Sequence, residues 1–368
     1  MTTPPNSISP YQSVKNCWYV VGFSKEFEPE KLTEHKVAGK VMVIWRTKDG
    51  GIAALDNRCA HKRFPLSEGR LKEDGTLECA YHGLCYNDKG RCTLIPSQMD
   101  QEIPAQAKVN SFPVIEQDGL VWVWPGDPAR KDDRKPPRTP ELADPDFENI
   151  DSGPMRIPAN YLLLIENLLD ITHFYPLHDG NIGDFENSKI PIKYEEDEVD
   201  GNRYVKTIRE VRNYNQPPYL QDWFVYDVVD RFHTHQMVSP AFTRVEMRNA
   251  PPGELGTDKE RGYVLYHFHT PVDEKNHIWW WCVNCKADHK SAGDPTMSTA
   301  KRVASMFPDV VAQDHWALEK QQAMFDVPDE GYSELFLKPD KALRRARQIF
   351  TQMLREEMVP SEVRGAAE

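Results

Sequence analysis

Apolar residues fall in short runs through roughly the first 125 positions of the chain. Val41–Arg46 and Ile52–Asn57 are β-branched or apolar stretches separated by Lys48-Asp49-Gly50-Gly51, a turn signal that predicts a hairpin. Phe112–Glu116 and Leu120–Trp124 repeat the pattern around Gln117-Asp118-Gly119. Several short strands bounded by Gly and Asp turns predict a small all-β sandwich or barrel.

The character changes at Pro125. PGDPARKDDRKPPRTPELADPD is rich in proline and charge and poor in large apolar groups, the composition of a linker. Beyond it, Asn160–Tyr175 has helical periodicity, 203–283 holds several strand-like runs, and Pro308–Phe325 is a second helix. Pro339–Met358 is a third, with Leu343, Ala346, Phe350, Met353 and Leu354 forming an apolar stripe suited to core or subunit packing. The expected organisation is an N-terminal β domain over 1–130, a linker over 131–150 and a mixed domain over 151–368. Two domains also suit a length of 368 residues, which exceeds what one core usually supports.

Charge narrows the partners. A net charge of −12 argues against nucleic acid or an anionic membrane as the main partner, since both call for a basic surface. MTTPPNSISP lacks a basic segment followed by an apolar one, and runs such as Tyr161–Ile165 and Ile278–Val283 are too short to span a bilayer. A cytoplasmic protein is the expectation. Seven cysteines, an odd number scattered widely, favour thiols or metal ligands over a disulfide framework.

The sharpest motif is Cys59-Ala60-His61, then 17 intervening residues, then Cys79-Ala80-Tyr81-His82. Two loops, each offering one thiolate and one imidazole, suit a [2Fe–2S] cluster with two His on one iron and two Cys on the other. Structural zinc accepts the same four ligands and is the main rival, although zinc sites more often pair Cys with Cys and His with His. Cys85 and Cys92 fall outside the pattern and read as structural.

A second constellation lies at Asn167, Asp170, His173 and His178. Asp170 and His173, three apart, share a helix face, whereas His173 and His178, five apart, diverge on an unbroken helix. Pro176 predicts a bend or stop there, which lets His178 swing back toward His173. Two His and one carboxylate would fill one face of Fe(II) and leave the other open. Asp314 is the best carboxylate because it falls inside the apolar stripe Val310, Val311, Ala317, Leu318 and Phe325, where an uncompensated charge is costly. Glu319 and Asp326 fit the stripe less well.

These segments resemble a known family. CAHKRFPLSEG and CAYHGLCYNDKG resemble the two cluster-binding loops of Rieske proteins, with Leu84 where an aromatic residue is usual. Asn167, Asp170, His173 and His178 reproduce the NxxDxxHxxxxH iron motif of Rieske non-haem iron oxygenase α subunits, and AQDHWALEKQQ resembles their third-ligand segment. The likeness covers both domains in order and is closest to the α-only group of vanillate and dicamba O-demethylases and phthalate dioxygenase.

The resemblance implies an α+β chain: an all-β Rieske domain, then a catalytic domain with an antiparallel sheet flanked by helices, of helix-grip type. It implies a [2Fe–2S] cluster on Cys59, His61, Cys79 and His82, and mononuclear Fe(II) on His173, His178 and Asp314 with Asn167 near the iron. It also implies a head-to-tail homotrimer in which Asp170 bridges His82 of one subunit to His173 of the next. O₂ would be the co-substrate. NAD(P)H would act only through a separate reductase, with or without a ferredoxin, since no dinucleotide or flavin fingerprint is visible. The reaction implied is demethylation or hydroxylation of a small aromatic molecule in catabolism, ahead of ring cis-dihydroxylation. A non-catalytic Rieske electron carrier would leave the second motif unexplained.

Other motifs read as bland. His233/His235 and His267/His269 alternate on expected strands as structural or pocket-lining pairs, and Cys282-Val-Asn-Cys285 reads as structural rather than redox-active.

Overall fold

The computed structural model describes residues 8–328 and 331–359, so most of the N-terminal stretch inspected for a signal lies outside the described residues. The N-terminal domain is built from three small antiparallel sheets. Lys40–Arg46 pairs with Thr33–Val37 and, across the expected turn, with Ile52–Asp56. Leu120–Val123 pairs with Val114–Gln117 and Tyr19–Phe23. Four two- or three-residue strands between Arg70 and Leu94 form the third sheet, and the Cys79–Gly83 loop joins two of them.

The C-terminal domain centres on an eight-stranded antiparallel sheet. Its order is Phe147–Asp151, Asn276–Lys286, Arg261–Asp273, Phe242–Ala250, Val228–Ser239, Asn202–Asn215 and Lys193–Val199, with Met155–Ile157 also on Asn276–Lys286. The central strands lack polar alternation because both faces are covered. Trp280 and Phe268 pack toward the N-terminal domain, where Phe268 meets Trp122 edge-on at 6.1 Å. Trp279 and Trp281 pack on the other face with Val303, Phe307 and Leu318 of the helix Thr299–Phe325. Main-chain bonds from Ala38 and Gly39 to Pro271 and Val272 tie the domains together.

The proline-rich stretch does not run free of the rest. Phe147–Asp151 is the sheet's edge strand, and the buried Arg134 pairs with Glu356 of the last helix at 3.0 Å.

Two helix boundaries correct the sequence reading. The first helix ends at Leu169 rather than near Tyr175, because Asp170 turns extended and its Oδ1 accepts from Thr172 N and Oγ1 at 2.8 and 2.6 Å. Pro176 instead lies inside the next short helix, Phe174–Leu177, in a first turn where a missing N–H costs nothing. The second long helix begins at Thr299, capped by Ser298, so Pro308 is interior to it. The apolar stripe continues across that proline through Val303, Phe307, Val310 and Val311 and holds both halves against the sheet, although its far end, Phe325, is exposed. The final helix spans Lys341–Glu357, with Ala346, Phe350, Met353 and Leu354 buried as expected. No helix among the described residues is long and apolar enough to cross a membrane.

Candidate metal centres

The two Cys/His loops are near copies in backbone. Arg63 N donates to Cys59 O and Cys59 N to Phe64 O, both at 2.9 Å; Gly83 N donates to Cys79 O at 3.0 Å and Cys79 N to Leu84 O at 2.9 Å. The fourth residue after each cysteine is left-handed, Arg63 at φ 56° and Gly83 at φ 72°. Gly83 is required there, since a Cβ would stand 2.9 Å from Pro96 Cγ. Cys59 and Cys79 are buried, while His61 and His82 are exposed with ring centroids 4.4 Å apart. Leu84 is a buried packing residue of this core.

The surroundings of the two thiols pull in opposite directions. Burial pushes the Cys79 thiol up, against main-chain N–H groups of Tyr81 and His82 that favour the thiolate. The Tyr86 hydroxyl lies 3.2 Å from Cys59 Sγ, where it can donate to a thiolate. Among the described residues, only His173, His178 and Asp314 form a group of three whose donor atoms lie within 4.8 Å of one another. The His61 and His82 rings adjoin each other and the Cys79 thiol faces Cys59, a pair of imidazoles and a pair of thiols such as a [2Fe–2S] cluster with two His on one iron and two Cys on the other would take.

The second centre is assembled from two elements. His173 and His178 flank the one-turn helix Phe174–Leu177, and Asp314 projects from the long helix. Asp314 Oδ1 lies 3.2 Å from His178 Nε2 and 3.7 Å from His173 Nε2. His178 Nε2 is nonetheless buried without a hydrogen bond, since with the proton on Nδ1 it meets the carboxylate lone pair to lone pair. Three lone-pair donors converge while satisfying one another poorly, the arrangement that a cation completes. Asn167 Nδ2 donates to Asp314 Oδ1 at 3.0 Å, and Gln313 Oε1 accepts from His178 Nδ1 at 2.7 Å. Burial draws the His178 imidazole down, but Asp314 and Gln313 outweigh it and the net displacement is upward. His173 is displaced downward by burial, against the pull of Asp314 and Asp170. Asp170 is half-buried at the helix end. Glu319 is exposed and Asp326 pairs with Lys275 at 2.8 Å, so neither approaches this centre.

Beside these ligands lies a cavity of ≈ 40 Å³ lined by Asn167, Phe174, Ile182, Phe307 and Val311. His233, His235 and His267 also line it, whereas His269 bonds Thr243 Oγ1 at 2.9 Å. Burial pushes His235 and His267 down to about 3, so both are neutral. Trp279 Nε1 donates to His267 Nδ1 at 3.1 Å, which leaves the His267 proton on Nε2. Cys282 and Cys285 sit in two separate cores on opposite faces of one strand, which rules out a paired redox motif. Gln313 and Tyr86 escaped the sequence reading. Gln313 is the immediate neighbour of Asp314, and Tyr86 lies four residues after His82, the only hints either gave.

Comparison with known proteins identifies both domains. Residues 17–113 match the Rieske [2Fe–2S] domain and residues 157–356 match the vanillate O-demethylase oxygenase C-terminal domain. The iron-sulfur subunit of a toluene-4-sulfonate monooxygenase system from Comamonas testosteroni is 27% identical over 362 residues, covering 94% of this chain and 98% of its own. A vanillate O-demethylase oxygenase subunit from Pseudomonas sp. (strain HR199 / DSM 7063) is 30% identical over 288 residues, 73% of this chain and 75% of its own. The crystal structure of dicamba monooxygenase bound to 3,6-dichlorosalicylic acid superposes with a TM-score of 0.82 at 26% identity, covering 95% of this chain and all of that one. The chain belongs to the vanillate O-demethylase family of Rieske non-haem iron oxygenases.

Proposed function

We propose that this oxygenase demethylates or hydroxylates a small aromatic substrate at the centre formed by His173, His178 and Asp314, using electrons from a separate NAD(P)H-dependent reductase. The observation that carries the reading is the meeting of these three donors at a cavity walled largely by aromatic and aliphatic side chains. Cys59, His61, Cys79 and His82 hold the cluster in this reading. The relatives named for toluene-4-sulfonate and vanillate, and the dicamba monooxygenase structure, support an aromatic substrate and monooxygenation.

Iron bound at the second centre supplies a site where O₂ is reduced beside the substrate. The protein's own groups do the rest. Gln313 keeps the His178 proton on Nδ1 and Nε2 free as a ligand atom, while Asn167 steadies the Asp314 carboxylate. Phe174, Ile182 and Phe307 give the cavity an apolar wall. The exposed His61 and His82 edges face outward, which suits a head-to-tail homotrimer in which Asp170 links one subunit's His82 to His173 of the next. Asp170 Oδ1 is held by Thr172, so its carboxylate is positioned for that contact.

Turnover of substituted benzoates and methoxyarenes by reconstituted enzyme with a reductase tests this, formaldehyde and hydroxylated products being read separately. Product coupled to O₂ uptake is expected. Electron transfer to the cluster without O₂ uptake, with every arene, would instead mark an electron carrier.

A further inference from the structure

On the sheet face that carries His233 and His235, two arginines point inward. Arg209 pairs in register with His233, and Arg231 pairs with Val211 on the same face. Both guanidinium side chains are buried, at 3% exposure each. Arg231 is anchored, its Nε donating to Asn249 Oδ1 at 3.2 Å and its guanidinium stacking 4.6 Å from the Tyr214 ring. Arg209 is different: its Nε and Nη2 are buried with no hydrogen-bond partner. The carboxylates whose charge it feels, Asp184 and Asp170, are committed elsewhere. Asp184 accepts from Asn187 N and the Tyr214 hydroxyl at 2.6 and 2.8 Å, and Asp170 accepts from Thr172.

A buried guanidinium with unused donors, beside a second guanidinium, lacks the compensation that buried charge ordinarily has. Burial and the neighbouring Arg231 bring Arg209 down to about 10, which leaves it cationic at neutral pH. His233 stays neutral between this pair and the cavity, pushed well down by burial, His235 and the two arginines. The site therefore offers positive charge and directed N–H groups with no anion to receive them.

Its position relates it to the metal centre. The Phe174 ring stands 5.9 Å from His178 and 6.0 Å from His233, and His233, which lines the cavity, is the cross-strand partner of Arg209, so Arg209 lies one side chain behind the cavity wall. We propose that Arg209, backed by Arg231, is the anion-recognising end of the substrate pocket. It receives a carboxylate or sulfonate carried on the aromatic ring, and the carbon to be oxidised lies toward His173, His178 and Asp314. This rests on the oxygenase reading for the second end only. The planar guanidinium fork matches either oxyanion group in a two-point contact.

Binding of benzoate, benzenesulfonate and neutral benzamide to the holoenzyme, by calorimetry and thermal unfolding without reductant, tests the assignment. Arg209→Met should weaken benzoate or benzenesulfonate on the order of 30-fold and change benzamide less than about threefold. Arg209→Lys should fall between. Without ligand, Arg209→Met should unfold at the same temperature as the parent or higher, since it removes a charge lacking a partner. Equal weakening of benzoate and benzamide would overturn the proposal. A ligand-free Arg209→Met protein with a lowered midpoint would also overturn it, showing Arg209 paired within the fold. So would inorganic sulfate competing as well as benzoate. Arg209-dependent benzoate binding in an enzyme that oxidises no arene would leave the anion site standing and remove the oxygenase reading instead.

Discussion

The Gln313–His178 contact offers a graded test of how the second centre is organised. Gln313 Oε1 faces two donors, His178 Nδ1 at 2.7 Å and Asn181 Nδ2 at 3.4 Å, so its carbonyl end is held toward the imidazole. While it accepts the Nδ1 proton, the Nε2 lone pair is directed at the space shared with Asp314, 3.2 Å away. Gln313→Leu keeps most of the side-chain volume but removes the acceptor. The imidazole then either buries an unpaired Nδ1–H, at about 1–3 kcal/mol, or moves its proton to Nε2, where it competes with a metal. Loss of such an outer partner typically weakens metal binding about 10–100-fold, or ~1.4–2.7 kcal/mol, which agrees with the first figure. Anaerobic Fe(II) competition against a chelator measures it, with the cluster's visible absorption as an internal control. Gln313→Glu, which retains an acceptor, should bind within about threefold of the parent or tighter. Parental affinity in Gln313→Leu, or equal weakening in both variants, would refute the role given to this contact.

Three further outcomes are expected. Asp170→Asn should retain both metal centres and lose at least ~100-fold in steady-state turnover, and rapid product formation at normal electron flow would contradict the bridge. Tyr86→Phe removes the donor to Cys59 Sγ and should lower the cluster's reduction potential by on the order of 50 mV, read by a spectroelectrochemical titration; an unchanged potential would contradict it. His235 and His267, each about 3 when folded and near 6.5 when unfolded, should stabilise the fold fully above pH 6.5. That stability should fall as pH drops toward 3, by up to ~1.4 kcal/mol per pH unit for each histidine, because the unfolded chain takes up protons first. Urea midpoints equal at pH 7 and pH 5.5 would count against the buried neutral state.

The short motifs were legible because local chemistry dictates them. A Cys-x-His and Cys-x-x-His pair needs only two loops to meet, and Asp314 stood out as a carboxylate within an apolar stripe. What the sequence misjudged was punctuation. Pro176 and Pro308 mark breakpoints in the sequence, yet the first helix is ended by the Asp170–Thr172 turn and the long helix runs through Pro308 because the sheet holds both sides. The pairing of Arg209 with His233 was invisible for another reason: register between strands more than twenty residues apart depends on the bulge between Val211 and Tyr214, which no local pattern announces.

The central claim is that one chain carries two chemically separate iron centres, with His178 in the second only. Metal and acid-labile sulfide analysis of parent and His178→Ala protein addresses it directly. The parent should hold about three irons for every two sulfides, and the variant about two irons with its sulfide and cluster spectrum intact. Loss of sulfide in His178→Ala, or an iron content the substitution leaves unchanged, would contradict the division of ligands.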